Sequence, residues 1–294
     1  MRLYLAFCLS SLVACGGGDT TPDAAKDVGF NKPTAALHAN TEVSDNNWMD
    51  LGPADLSCLN TASADQPTSV TVTLNTLVKD FQSGNALPAI GVTAFKDIDF
   101  ANPFDTKTSD ANGNISFTIP TGVKRFGFKM TGDPQMPTFL LNQYVDPAMM
   151  TQTEPSKIQS VSNATAATLP ALIGETRTAG TGVIAGALRD CQKHEMSNFV
   201  ATVSSTPMTA TPIAGAEAYY FSASVGLPVH HMQQEAASAD GIFMVIQLPA
   251  APTAYVQMWG YDGAVSGEPK LIAQLQVPVV ADTVITGSYE PLRN

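Results

Sequence analysis

The sequence predicts an all-β protein in which one arrangement of strands occurs twice, with a short helical linker between the copies. Two observations predict it. Thr, Ser, Ala, Val, Gly and Pro are abundant while Lys and Arg total only 15, a mixture that favours strands and turns over long helices. The second observation is an internal repeat. TLVKDFQSGNALPAIGVTAF (76–95) and SDANGNISFTIPTGVKRFGFKMTG (109–132) resemble GALRDCQKHEMSNFVATVSS (186–205) and SADGIFMVIQLPAAPTAYVQMWGYDG (238–263). Each copy opens on an apolar strand ending in a cation and an aspartate, Lys79-Asp80 and then Arg189-Asp190. Each later shows Asp before Gly, an alternating strand, a proline and another alternating strand.

The chain begins with Arg2 and an apolar run, LYLAFCLSSLVA (3–14), too short to span a bilayer as a helix. It stops at Leu12-Val-Ala-Cys15, which resembles the lipobox of bacterial lipoproteins. That resemblance makes 1–14 a signal peptide and Cys15 the lipidated residue, with an ordinary signal peptide as the competing reading. It implies a membrane-attached protein of the bacterial cell envelope, at the outer membrane on its periplasmic or surface face. GGGDTTPDAAKD continues from it as a flexible tether over 15–30. Residues 31–68 show no clear period, and Trp48 and Leu51 are their candidate anchors to a domain surface.

Cys8 leaves with the signal peptide and Cys15 carries lipid, so Cys58 and Cys191 remain. Outside the cytoplasm two leftover cysteines suggest a disulfide. It would close a loop of about 130 residues and stabilise by ~4–5 kcal/mol in the chain-entropy model. Two free buried thiols or a metal site are the alternatives.

The first unit covers 69–145. Within it, Asp110, Asn112 and Asn114 alternate as in a calcium loop, yet they also suit a hairpin turn. The second copy has Asp240-Gly241 without the two asparagines, so a turn with Gly at positive φ explains both copies. No later bidentate Glu follows. An ion near Asp97, Asp99, Asp105 and Asp110 stays as the lesser reading, and no metal or cofactor is expected. A linker, 146–180, contains PSKIQSVSNATAATLPALIGE (155–175). Ser and Asn ahead of an Ala- and Leu-rich run that ends at Gly174 predict a short helix, limited by Pro170. The second unit covers 181–291, with an insertion at about 206–237.

These motifs resemble the carboxypeptidase regulatory-like domain over roughly 69–145 and 181–291. That family implies two tandem transthyretin-like (prealbumin-like) β-sandwiches, a carbohydrate-binding-like fold, used as accessory modules without a peptidase centre. With the lipobox, the tandem copies resemble surface lipoproteins of Gram-negative bacteria.

A formal net charge of −11 and a pI near 4.6 argue against nucleic-acid binding. Histidines 38, 194, 230 and 231 form no His-Glu-x-x-His pattern, and no Gly-x-Ser-x-Gly elbow occurs. No catalytic residue is assigned, and His230-His231 reads as a surface pair. The feature that stands out is TAYVQMWGYDG (253–263). Alternation puts Tyr255, Gln257, Trp259 and Tyr261 on one face, where the first copy has Arg125, Gly127 and Lys129, which read as wet. Tyr255 and Trp259 would lie about 13 Å apart. GIFMVIQLP (241–249) is apolar on both faces and so buried on both. The segment 218–232 is a ready cover for the aromatic row, and internal cover is preferred to an open ligand or interface surface formed by Tyr255, Trp259 and Tyr261. The function expected is a non-catalytic, lipid-anchored binding or structural module for a protein or glycan partner. An accessory subunit of an envelope enzyme or transporter is the alternative.

Overall fold

A computed structural model describes residues 31–145, 154–230 and 233–294. The expected signal peptide 1–14, Cys15, the expected tether 15–30 and His231 lie outside the described residues. The described chain is built of strands and one short helix.

The segment without a clear period forms a hairpin, β1 (His38–Ser44) and β2 (Asn47–Pro53). Register shifts between Ala39 and Asn40 and between Glu42 and Ser44 break the two-residue period, which is why alternation is absent from its sequence. Leu51 is not an anchor, and Trp48 is half-buried. Leu51 is 42% exposed, whereas Leu37 and Ala39 are buried at 2% and 4%.

The first copy contributes β3 (Val72–Asp80), β4 (Gly91–Lys96), β5 (Pro103–Thr108), β6 (Asn114–Ile119), β7 (Arg125–Gly132) and β8 (Gln135–Tyr144). Alternation is plain in β3 and β6. Val72, Leu74 and Val78 point inward with Ile115, Phe117 and Ile119, as a strand with one buried face requires. A further strand, β9 (Ser156–Ser160), lies in the expected linker and pairs parallel to β3. The first unit therefore does not close at residue 145. Helix α1 (Asn163–Leu172) follows, N-capped by Ser162, whose side chain accepts from the Thr165 amide. Pro170 sits within its last turn, and the chain turns at Gly174 with φ +79°.

The second copy contributes β10 (Thr181–Leu188), β11 (Glu195–Ser197), β12 (Val200–Ser204), β13 (Glu217–Ser222), β14 (Leu227–Val229), β15 (Ile242–Pro249), β16 (Ala251–Gly260), β17 (Lys270–Val279) and β18 (Val284–Tyr289). The pairing pattern of the first copy recurs. β3 lies between antiparallel β6 and parallel β9, as β10 lies between antiparallel β15 and parallel β18. β7 lies between β4 and β8, as β16 lies between β12 and β17.

The copies are not separate sandwiches. β8 of the first pairs in parallel with β18 of the second, from Thr138↔Val284 to Leu141↔Gly287. One nine-stranded sheet results, in the order β14-β13-β15-β10-β18-β8-β7-β4-β5. Its two faces are covered differently. On one, β6-β3-β9 covers the first copy's half, and α1 covers the second copy's half through Ala166 and Leu169, with Val161 just ahead of the helix. On the other, β12-β16-β17 covers the second copy's half. β15 accordingly buries Phe243 and Val245 on one side and Met244 and Ile246 on the other.

This stagger corrects the reading of Arg125, Gly127 and Lys129 as a wet face. Gly127 is buried under Phe95, and a Cβ there would come 2.6 Å from that ring. Phe139 packs 6.3 Å from Phe95, and the Lys129 ammonium stands 5.6 Å over the Phe139 ring. Nor do residues 218–230, the described part of the segment 218–232, cover the aromatic row. β13 extends the nine-stranded sheet beside β15 and buries Tyr219, Tyr220 and Phe221 in its two cores.

Candidate functional site

The turns that carry aspartate are structural. Asp110 accepts from the amides of Asn112 and Asn114, each at 2.8 Å. Those bonds, Asn114 first, hold its carboxyl below the usual range. Asp190 does the same for Gln192 and His194, each at 2.9 Å. Asp80 caps its turn through Gln82 and Ser83. Gly113 and Gly241 adopt φ of +81° and +63°, the conformation a tight turn asks of glycine. Elsewhere in the first copy, Asp105 accepts from the Thr118 amide and Asp99 from Asn102. Among the described residues no cluster of three His, Cys, Asp or Glu side chains is placed to hold a metal.

Asp240 differs. It is 3% exposed. One carboxylate oxygen accepts from Ile242 N and Ser238 Oγ, each at 3.0 Å, and the other has no partner. Burial pushes its pKa up to about 6 from an ordinary 3.8. The folded state thus holds this proton more tightly than the unfolded chain. The group's contribution is most favourable below the unfolded value and is lost as pH rises through 3.8 to 6. The loss is on the order of 2–3 kcal/mol. Asp240→Asn keeps an acceptor for Ile242 and Ser238 and cannot ionise. Urea unfolding should show it more stable than wild type at pH 7.5 and equal to it near pH 4. A gap that does not change with pH would mean that Asp240 is not the titrating group.

Cys58 and Cys191 form a disulfide with Cα atoms 5.8 Å apart. A cleft of about 290 Å³ lies nearby, where residues 63–65, 124–125, 142, 273–275 and 289–293 meet. Its central cation, Arg125, is paired with Asp65 and Glu290 and stacks 5.3 Å from the Tyr144 ring. With its charge matched by two carboxylates, Arg125 ties three segments together and offers little to an anionic ligand.

The aromatic row lies on the outer face of β12-β16-β17. Tyr255 faces Ser204 and Gln276, Gln257 faces Thr202 and Gln274, and Trp259 faces Val200 and Leu271. Tyr255 and Trp259 are half-buried. Trp259 Nε1 donates to Thr202 Oγ1 at 3.1 Å. Tyr261 is drawn away from them. It is 5% exposed, its carbonyl accepts from Leu37 N at 2.9 Å, and its hydroxyl donates to Gly267 O at 3.1 Å. The chain that leads into β1 thus covers Tyr261, and the face is left with two aromatics. Between them Gln257 is 0% exposed beneath the loop 205–212. Its Nε2 donates to Thr206 O at 3.1 Å and to Gln274 Oε1 at 3.2 Å. Gln274 Oε1 also accepts from Met208 N at 2.7 Å. The sequence places 206–212 at the start of the insertion and does not tell that it crosses the face of the sheet.

No family model matches the chain, and no curated protein matches it. Several solved structures align with it loosely. The shaft pilin SpaA of Lactobacillus rhamnosus GG is 10% identical over 76% of this chain and 99% of its own, with a TM-score of 0.24. A streptococcal ancillary pilin is 12% identical over 76% and 63%, with a TM-score of 0.21. A 3-chlorocatechol 1,2-dioxygenase of Rhodococcus opacus 1CP is 12% identical over 42% and 70%, with a TM-score of 0.22. Likeness this loose, shared by pilins and an enzyme alike, says nothing about what the chain binds.

Proposed function

We propose that the chain is a non-catalytic, lipid-anchored protein of the bacterial cell envelope, probing a protein or carbohydrate partner with the outer face of β12-β16-β17. The observation that carries this is the pair Tyr255 and Trp259, still partly open on an uncharged sheet face whose centre is the amide of Gln257. Aromatic side chains give large contact area at small entropic cost. Location is supported by Leu12, Ala14 and Cys15 at the end of the apolar run. The repeated strand pairing supports the carboxypeptidase regulatory-like, transthyretin-like reading of each copy. The β8–β18 junction supports a structural role, since two sandwiches sharing one sheet present the face from a stiff body.

Two measurements test the two halves of this reading. Expressed in a Gram-negative host, the full chain should partition into detergent, and Cys15→Ser should move it to the aqueous phase. A pull-down of the mature domains from envelope extract should lose its partner in Trp259→Ala, by roughly 30-fold if Trp259 is worth the ~2 kcal/mol of an interface anchor. Equal recovery of every partner, with the variant folded, removes the site.

A further inference from the structure

We infer that the Tyr255–Gln257–Trp259 face binds a neutral oligosaccharide, and that the loop 205–212 is its displaceable cover. The inference rests on the proposed reading of this face as the partner site, and it names the ligand class.

The first argument is chemical. The side chains that β12, β16 and β17 bring to the face around the aromatics are Ser204, Thr202, Gln257, Gln274 and Gln276, with Val200 and Leu271 flanking Trp259 at one end. None is charged, in a chain whose formal net charge is −11. Such a face lacks the cations an acidic ligand needs and the carboxylates a basic one needs. Aromatic rings accept the C–H faces of sugar rings, while amides and hydroxyls of fixed direction accept and donate to sugar hydroxyls. A protein-binding core would instead gather aliphatic side chains between its aromatics. Here amides fill that space.

The second argument is an unmet hydrogen bond. Gln257 Oε1 is buried without a donor, at the centre of the row and two residues from each aromatic. Buried acceptors are normally satisfied, and a sugar hydroxyl standing over Gln257 would supply the missing donor.

The third argument concerns the cover. The loop is fastened to the face by side chains: Gln257 Nε2 to Thr206 O, Met208 N to Gln274 Oε1, and Ser204 Oγ to Thr209 O at 2.6 Å and also to Thr211 O. Hydroxyls of a ligand can replace the first two bonds one for one. Met208 at the tip is 73% exposed and adopts φ +54°. A non-glycine residue is disfavoured there, so lifting the loop relieves backbone strain. Tyr255 and Trp259 stand about 13 Å apart along the strand, a span that suits a short oligosaccharide better than a single sugar.

The test uses Trp48→Phe in the mature chain, which leaves Trp259 as its one tryptophan. Its emission is followed while cellotetraose, chitotetraose or, as an anionic control, tetragalacturonate is added. At least one neutral tetrasaccharide should give a saturable shift, weakened about 10-fold or more by Tyr255→Ala. Met208→Pro removes the N–H that Gln274 holds and forbids positive φ. By lifting the cover it should tighten binding by about 5–10-fold, because the competent state no longer has to be populated first. No saturable shift with either neutral sugar, in the parent or in Met208→Pro, overturns the inference, and so does equal binding of tetragalacturonate. If the envelope pull-down then still depends on Trp259, the sugar class is wrong and the partner site stands. If it does not, the site reading has failed as well.

Discussion

Gly186→Ala is expected to cost about 3 kcal/mol or more in unfolding free energy. Gly186 lies in β10, near the centre of the nine-stranded sheet. It pairs with Phe243 on one side and with Gly287 in parallel on the other. A Cβ there would come 2.5 Å from the Gly287 carbonyl oxygen and would meet the ring of Tyr289. Tyr289 is 2% exposed, with its ring centre 5.3 Å from that of Phe243. Rotating the tyrosine would remove one clash and open a void beside Phe243. The other clash is with backbone, which can yield only if β10 and β18 separate. β18 also carries the pairing to β8, so the strain falls on the strand that joins the two copies. The control is Gly91→Ala in β4, where the new Cβ would meet only Thr131 atoms at 3.4 and 3.5 Å, ordinary contacts. Urea unfolding should separate the two variants by more than about 2 kcal/mol. Equal costs would mean that the approach of β10 to β18 is looser than these distances.

Features set by local period and turn chemistry were legible in the sequence. Lys79-Asp80 and Arg189-Asp190 mark equivalent strand ends because each aspartate caps its own turn. Apolar runs found β3 and the doubly buried β15, alternation found β6, and Ser162 with Gly174 bounded α1. The β8–β18 junction was not legible. Its two strands lie well over a hundred residues apart, and a parallel edge pairing leaves no mark on the period of either one. The same limit hid β9, whose five residues alternate too briefly to stand out from a linker. At the site, alternation placed Tyr255, Gln257 and Trp259 correctly on one face. It did not tell that the chain before β1 would reach Tyr261, or that a loop would cross Gln257. Both depend on contacts between segments far apart in sequence.

Removing the disulfide should cost a comparable amount by a different route. Cys58 and Cys191 are 133 positions apart, and the loop they close contains every strand of the first copy. The chain-entropy model assigns such a loop roughly 5 kcal/mol, acting through the unfolded state. The native geometry around it does not rest on sulfur alone, although Cys58 N donates to Cys191 Sγ at 3.0 Å. Asp55 O accepts from Cys191 N at 2.9 Å, Asp55 N donates to Asp190 Oδ2 at 3.2 Å, and Asn60 N donates to Leu292 O at 2.8 Å. Arg293 reaches the Cys58 carbonyl at 3.1 Å. With that strap bonded on both sides, Cys58→Ser/Cys191→Ser should keep native amide protection over residues 54–61 while losing about 3–5 kcal/mol of global stability. The opposite pattern, lost protection at 54–61 with global stability nearly intact, would show that the bond pins the strap locally and that the two copies hold together without it. The distinction bears on function. Under the proposed envelope location, beyond the reach of cytoplasmic chaperones, such a chain gains from an unfolded state that is costly to reach. The double serine variant should therefore also be cleaved faster by proteases that act on the globally unfolded chain, in proportion to the stability lost.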